Sequence, residues 1–308
     1  MSRQFIRDAK LLIKSDNIEI DLSTLAFKFE TTQAILGIPK TLKIRIYNVA
    51  PQTIQSIINE GLRIQLDAGY IDSISTIFSG QIRQISTGKE NGVDSFVDIQ
   101  ASDNDTFFKD GFVSKTVAAG STGNSRLYAL NQMTDTGAQE ILLNTKDEGT
   151  QLPRGRVYHG KSANYMDNIA SQKGASFHIE NGQIVITDIN RYTTEEKFII
   201  DRNTGMIGLP QQTLSGIQVK CLLNPNIKIG GPILLDNESI QIQQQNFGYS
   251  EEAKWKMSIN PLNKDGIYKV IGITHEGEIR GTPWYTNIIC YDVNSFRPAQ
   301  ILMSAGSN

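Results

Sequence analysis

The sequence predicts a mainly β protein in which two similar small, barrel-like β domains flank an α+β middle domain. A strand, turn and strand unit, GLRIQLDAGYIDSISTIFSGQIRQI (Gly61 to Ile85), recurs in grammar near the other end of the chain. There it reads IKIGGPILLDNESIQI (Ile227 to Ile242), then YKVIGITHEGEIRGTPWYTNIICYDV (Tyr268 to Val293), with an insertion-like stretch between. Both regions alternate apolar and polar residues every second position, which puts one set of side chains on a buried face. Between them the period lengthens to that of helices. A chain of 308 residues exceeds a comfortable single core, so several domains are expected. The boundaries that follow are 1–105 for the first barrel-like domain, 106–202 for the middle domain, 203–296 for the second barrel-like domain and 297–308 for a tail. A unit used twice suits a scaffold that presents one surface twice.

In the first region the apolar patches are Leu11 to Leu12, Ile18 to Ile20, Ala26 to Phe29 and Leu42 to Ile46. Leu42, Ile44 and Ile46 alternate with Thr41, Lys43 and Arg45. NVAPQTIQSIINEG (Asn48 to Gly61) then predicts one short helix, with Pro51 in its first turn, Ile54, Ile57 and Ile58 on one face and Gly61 as a left-handed cap. Leu62 to Leu66, Phe78 to Ile85 and Val93 to Ala101 resume the strand pattern. Six or seven strands are expected, curled so that few edges stay exposed.

The middle region opens with Phe112 to Ser125, a strand running into a loop. LYALNQMTDTGAQEILLNT predicts one interrupted helix or two short ones. Ser162 is the expected N-cap of a helix whose inner face is Met166, Ile169 and Ala170 and which Gly174 ends. Ala175 to Ile179 and Gln183 to Ile189, joined by Asn181-Gly182, predict a hairpin. In the last region, strands are expected at Gly216 to Leu223, Ile227 to Ile229, Tyr268 to Thr274, Glu278 to Gly281 and Trp284 to Tyr291. Ile233, Leu235, Ile240 and Ile242 continue the alternation. Gln243 to Gly266 predicts a long polar excursion carrying Phe247, Tyr249 and Trp255, a partner-contact element.

Thirty basic and thirty-two acidic residues give a formal charge of −2 without long runs of either sign. A surface that grips DNA nonspecifically is not expected, although a wide pore can let nucleic acid pass. The amino terminus carries charges every few residues and no continuous apolar stretch, so neither a secretory signal nor an anchor is expected. Cys221 and Cys290 lie in apolar runs and read as buried reduced thiols, with an inter-strand pair as the alternative. His159 and His178 flank the middle helix. A site built from them with Asp167, Glu180 or Asp188 lacks any tight metal-ligand spacing, and solvated or hydrogen-bonded histidines are the simpler reading. Glu180 and Asp188 are the one carboxylate pair to weigh for glycoside hydrolysis. Ala118 to Ser125 lacks the lysine and spacing of a phosphate loop, and IKIGGPILLD reads as a turn between strands. No catalytic residue, metal ligand or cofactor site is expected.

LPRGRVYHG (Leu152 to Gly160), ASFHIENGQIVI (Ala175 to Ile186) and TGMIGLPQQTLSGIQVKCLLNPNIKIGG (Thr204 to Gly231), with PILLDNESI and the earlier GLRIQLDAGY and FSGQI, resemble in order the hub proteins of long-tailed bacteriophages, especially contractile ones. The resemblance implies two tube-like barrels per chain and a homotrimer whose six barrels give a pseudo-sixfold ring. It also implies a tail tube or tube-initiator protein above, a spike below, baseplate wedge proteins around, and DNA that only transits the channel. The location implied is the virion tail baseplate, with synthesis in the host bacterial cytoplasm. A carbohydrate-binding or cell-wall-degrading tail-tip protein, and the hub of a phage-like contractile injection system, are the competing readings.

Overall fold

The computed structural model describes residues 6–15, 19–35, 38–60, 63–92, 94–103, 105–134, 140–145, 151–180, 182–213, 216–242 and 265–293. The first unit comprises β1 (Arg7–Lys14), β2 (Glu19–Asp21), β3 (Phe27–Ala34), β4 (Thr41–Tyr47), α1 (Pro51–Glu60), β5 (Arg63–Tyr70), β6 (Ser75–Glu90) and β7 (Asp94–Ser102). Alternation sets its faces: Phe27 and Phe29 are buried where Glu30 is exposed, and Leu42, Ile44 and Ile46 are buried where Thr41 and Lys43 are exposed. Its strands run β3-β4-β7-β6-β5-β1-β2. Leu11 and Ile13 of β1 nevertheless share one core with Phe27 and Phe29 of β3. The sheet therefore curls around that core. In α1, Pro51 begins the helix and Ile57 is fully buried, but Ile58 is 52% exposed, so only Ile54 and Ile57 face the core. Gly61 and Leu62 lie outside the described residues.

The middle unit holds α2 (Asp105–Asp110), β8 (Phe112–Val117), α3 (Gly123–Met133), β9 (Ile141–Asn144), β10 (Arg156–Lys161), α4 (Ser162–Gln172), β11 (Ala175–Glu180) and β12 (Gln183–Asp188). Leu127, Leu130, Met166, Ile169, Phe177, Ile184 and Ile186 pack into its own core. The hairpin forms with Glu180 opposite Gln183, and Gly182 takes φ +86, which only glycine adopts without strain. Gly174, at φ +66, ends α4. Three expectations need correction. The stretch after α3 returns as β9, which pairs in parallel with β12, because Ile141 and Leu143 gain more against the hairpin core than as a second helix. Ser162 is inside α4 with Lys161 at the cap, and its hydroxyl is engaged with Thr134 Oγ1 at 2.7 Å. Ala118 to Ser125 is not all loop: Thr122 Oγ1 accepts from Ser125 N and caps α3.

The last unit contains β13 (Phe198–Ile199), β14 (Met206–Thr213), β15 (Gly216–Leu222), β16 (Pro232–Leu234), β17 (Gln241–Ile242), β18 (Ile267–Glu278) and β19 (Trp284–Tyr291). β14, a stretch where no strand is expected from the sequence, is a strand with a register shift between Ile207 and Gln211 that absorbs Gly208 and Pro210. Ile227 to Ile229 is irregular, although Ile227 and Ile229 are buried in the second core. Glu278 closes β18 and the chain then turns, so Glu278 to Gly281 is not a separate strand. The excursion with Phe247, Tyr249 and Trp255, from Gln243 through Lys264, lies outside the described residues, as does everything from Asn294 onward.

The duplication is one of topology. The first unit pairs β3-β4-β7-β6-β5 and the last pairs β14-β15-β19-β18-β16, in matching sequence order. β18 then pairs antiparallel with β3, from Gly272 opposite Ala34 to Glu278 opposite Lys28, so both units join in one fourteen-stranded sheet. Trp284 secures the joint. It lies in the first core, edge-on to Phe29 at 5.6 Å, and its Nε1 donates to Gly69 O at 3.2 Å. Arg7 donates to the carbonyls of Gly281 (2.7 Å) and Thr282 (3.0 Å).

Candidate functional site: a sheet face shared by two lobes

Because β18 and β3 are hydrogen-bonded neighbours, the two lobes present one uninterrupted sheet face. Side chains on this face are the polar members of each alternation. Glu276 stands opposite Glu30, Glu30 opposite Lys43 and Lys43 opposite Gln100 across four strands. In the next row Glu278 stands opposite Lys28, Lys28 opposite Arg45 and Arg45 opposite Asp98. A shallow concavity lines this joint, bounded by Lys28, Glu30, Lys43, Arg45, Glu276 and Glu278.

Arg45, Glu276 and Lys28 are committed within the chain. Arg45 holds Asp98 with two bonds, Nε to Oδ1 at 2.7 Å and Nη2 to Oδ2 at 2.8 Å, and reaches Glu90 at 3.4 Å. That pairing raises the guanidinium pKa further. Its plane stacks 3.9 Å from the Phe96 ring centroid, so two contacts fix its position. Lys220 Nζ lies 2.8 Å from Glu276 Oε1, which also accepts from Asn287 Nδ2 at 3.2 Å. The hydroxyl of Tyr47 beside Lys28 raises the Lys28 pKa and keeps it charged.

The opposite face of the same strands is covered and unusually polar. Thr31 and His275 are register partners, and His275 Nδ1 lies 2.9 Å from Thr286 Oγ1. Three parts of the chain converge on this seam. The first lobe supplies Lys40, only 3% exposed, and Asp103, whose Oδ1 accepts from Gly182 N at 3.0 Å. The middle unit supplies His178 and Glu180; the last lobe supplies Lys228, whose Nζ is 3.1 Å from Glu180 Oε1. Lys269, with no exposed surface, donates to the carbonyls of Asp188 (2.6 Å), Ile189 (3.3 Å) and Arg191 (2.5 Å) and so straps the end of β12 to β18. Burial pulls the Lys40 pKa down to about 8, partly offset by the charge of Glu180. Burial alone raises that of Glu180, but the charges of Lys228 and Lys40 outweigh it and hold the carboxylate lower. Burial drives His178 down to about 4 and His275 to about 3, so both are neutral.

The residues weighed for chemistry are dispersed. His159 is exposed, with Nδ1 3.0 Å from Ser114 Oγ and its ring edge-on to Phe112, whereas His178 is buried in the seam. Asp167 is exposed on α4. Glu180 and Asp188 sit at opposite ends of the hairpin, facing Gln183 and Ala175 respectively. Five strand steps separate them by roughly 17 Å, well beyond the spacing of glycosidase carboxylates. Among the described residues no group of three or more His, Cys, Asp or Glu is placed to hold a metal, and no helix is long and apolar enough to cross a membrane. Cys221 and Cys290 are both free and buried; burial pushes the Cys221 thiol up to about 12. Sequence reading missed Lys40 and Lys269. A single lysine inside the apolar run Tyr268 to Ile273 was the available signal.

A family model described as baseplate hub gp41 matches residues 17–240. No curated protein matches the chain. Among solved structures the fold is similar to that of the Escherichia coli c3393 protein, described as a component of the type VI secretion system with structural similarity to the T4 bacteriophage tail proteins gp27 and gp5. The identity is 13% at a TM-score of 0.60, covering 95% of this chain and 80% of that one. It is similar also to the 43 kDa tail protein of prophage MuSo2 from Shewanella oneidensis (7% identity, TM-score 0.58, 94% and 98% covered). A tail protein from Neisseria meningitidis MC58 gives 9% identity and a TM-score of 0.56, again over 94% and 98%.

Proposed function

This chain belongs to the baseplate hub gp41 family, and from that membership we propose that three copies form a ring joining a sixfold tail tube to a threefold spike. The head-to-tail duplication is the observation that carries this reading. Within one chain, β18 gives the first part of one edge to β16 and the rest to β3. Its counterpart β6 gives Ser75–Gln81 to β5 and continues through Gln84 to Glu90, where among the described residues it is paired only with β7. β14 is the counterpart of β3. β17 covers Gln211 and Gln212 on its outer edge and Asp201 O takes the Met206 amide, so among the described residues Ile207–Leu209 is the stretch left to a neighbour. Repeating the β18-to-β3 step between copies brings β6 of one to β14 of the next, a heterologous contact that closes when the rotation per copy is a third of a turn.

In this arrangement six lobes alternate around a pseudo-sixfold ring. Each lobe is a tube-like barrel, the first within 1–105 and the second within 203–296, and the middle domain, 106–202, broadens the trimer. The shared polar face lines the channel through which DNA transits. A tail tube or tube-initiator protein binds above, the spike below and baseplate wedge proteins around. The protein is a structural component of the virion tail baseplate, made in the host cytoplasm, and its role is mechanical instead of catalytic. The likeness in fold to a type VI secretion component supports one second reading, the same hub role in a phage-like contractile injection system.

Leu209 on β14 is 38% exposed. Leu209→Asp is expected to leave the chain folded and to shift its sedimentation mass from that of three chains towards one. A wild-type protein that stays monomeric with and without its tube protein contradicts the ring.

A further inference from the structure

In the middle unit β8 and β10 form a sheet of two strands, without a third among the described residues. Val113, Val117 and Tyr158 bury one face in the middle core, while Phe112 (39%) and Val157 (67%) stay exposed on the other. The two edges differ. On β10 the Tyr165 hydroxyl donates to His159 O at 2.7 Å and accepts from His159 N at 3.4 Å, which occupies the outward backbone groups there. Since His159 turns its backbone groups away from β8, its register partner Ser114 turns its own away from β10, and so does Thr116 two residues on. These N–H and C=O groups have no backbone partner among the described residues, so β8 ends the sheet as an open edge. The ribbon is also basic in a chain of formal charge −2. No carboxylate occurs from Gly111 to Thr134 or from Thr150 to Met166. Lys115, Arg154, Arg156 and Lys161 are exposed there, and none is ion-paired among the described residues.

We propose that the edge of β8 takes an extended, acidic segment of a partner protein as a third strand. Ser114 and Thr116 pair with its backbone, which supplies affinity, and alternate side chains supply specificity. Carboxylates on one face of the added strand meet Lys115 in the field of Arg156 and Lys161, and apolar residues on the other cover Phe112. Another strand matches this edge better than a nucleic acid does, because phosphates only accept, whereas the edge offers donors and acceptors in alternation. A second copy of β8 matches it worse, because pairing through Ser114 and Thr116 brings two Lys115 side chains together. The inference concerns the middle unit and does not rest on the ring.

The probe is a short fluorescein-labelled peptide alternating valine and glutamate, added to the full-length protein and followed by anisotropy. Its comparators are the same peptide methylated on every backbone nitrogen, and a valine and lysine peptide. K115Q/R156Q/K161Q is compared with K10Q/K89Q/K197Q, in which three exposed lysines elsewhere are neutralised. Each set moves the formal charge from −2 to −5. The ribbon variant is expected to bind the acidic peptide at least about tenfold more weakly than wild type or control at about 50 mM salt. Thr116→Pro, which removes an outward N–H and leaves the bonds to β10, is expected to weaken it as well, with unfolding midpoints confirming that each variant is folded. Failure of the acidic peptide to saturate wild type overturns the proposal and leaves the cations as guards of an exposed edge. Equal binding by the methylated peptide, or by the ribbon and control variants, overturns it too. A DNA duplex that binds the ribbon more tightly than the peptide, or a sedimentation mass that falls only in the ribbon variant, assigns the edge to nucleic acid or to a second copy and overturns it likewise.

Discussion

Lys40 and Glu180 show how single residues hold three parts of the chain together. Replacing Glu180 with Gln takes its ion-pair partner from Lys228 and leaves the 3%-exposed Lys40 ammonium with Asp103 alone. A loss of about 1–3 kcal/mol is expected in denaturant titration, and Lys40→Met, which leaves Glu180 and the buried Asp103 without that cation, is expected to cost at least as much. His178 and His275 make stability depend on pH. Their folded pKa values lie below the ordinary 6.5, at about 4 and about 3, so the unfolded chain binds more protons in that interval. Their contribution is complete above pH 6.5 and is lost as pH falls towards those values, at about 1.4 kcal/mol per pH unit per histidine. Unfolding followed from pH 7 to 5 is expected to show this slope, halved in His178→Gln; an unchanged slope contradicts the burial account. Sequence marked His178 only as solvated or ordinarily bonded. What buries both histidines is the packing of the middle hairpin against β18, a contact between distant segments that no local pattern encodes.

Elements were legible where one period governed them. α4, the β11-β12 hairpin and the alternating strands β3, β4, β15 and β19 follow from residue spacing, because each buries one face and exposes the other. β14 was missed because Gly208 and Pro210 interrupt its alternation, and a bulge accommodates them without ending the strand. β9 was missed because its short apolar run suits helix or strand equally, and its partner β12 decides. At the β18 joint, Gly277 lets Trp284 of β19 pack against Phe29 of β3 within the first core. A Cβ there stands 2.4 Å from Phe29 Cζ and 2.8 Å from Trp284 Cε3. Gly277→Ala is therefore expected to cost about 1–3 kcal/mol, read as a lower urea midpoint at unchanged slope. A neutral effect there indicates that the two aromatic rings are not locked across the joint.

For the whole molecule, the repeated unit in the sequence proved to be a repeated strand order, and the fourth strand of the second repeat, β18, pairs with the first strand of the first repeat, β3. That step was hidden in the sequence, because β18 and β3 are separated by more than two hundred residues. It also decides which face both lobes share. The most direct test is an electron cryo-microscopy reconstruction of the purified protein bound to its tube protein. A threefold ring of six lobes around an open centre, with Glu30 and Glu276 turned to the opening and β6 beside β14 of the next copy, is the predicted result. A monomer, a twofold dimer, or a ring whose shared face is packed against another protein contradicts it.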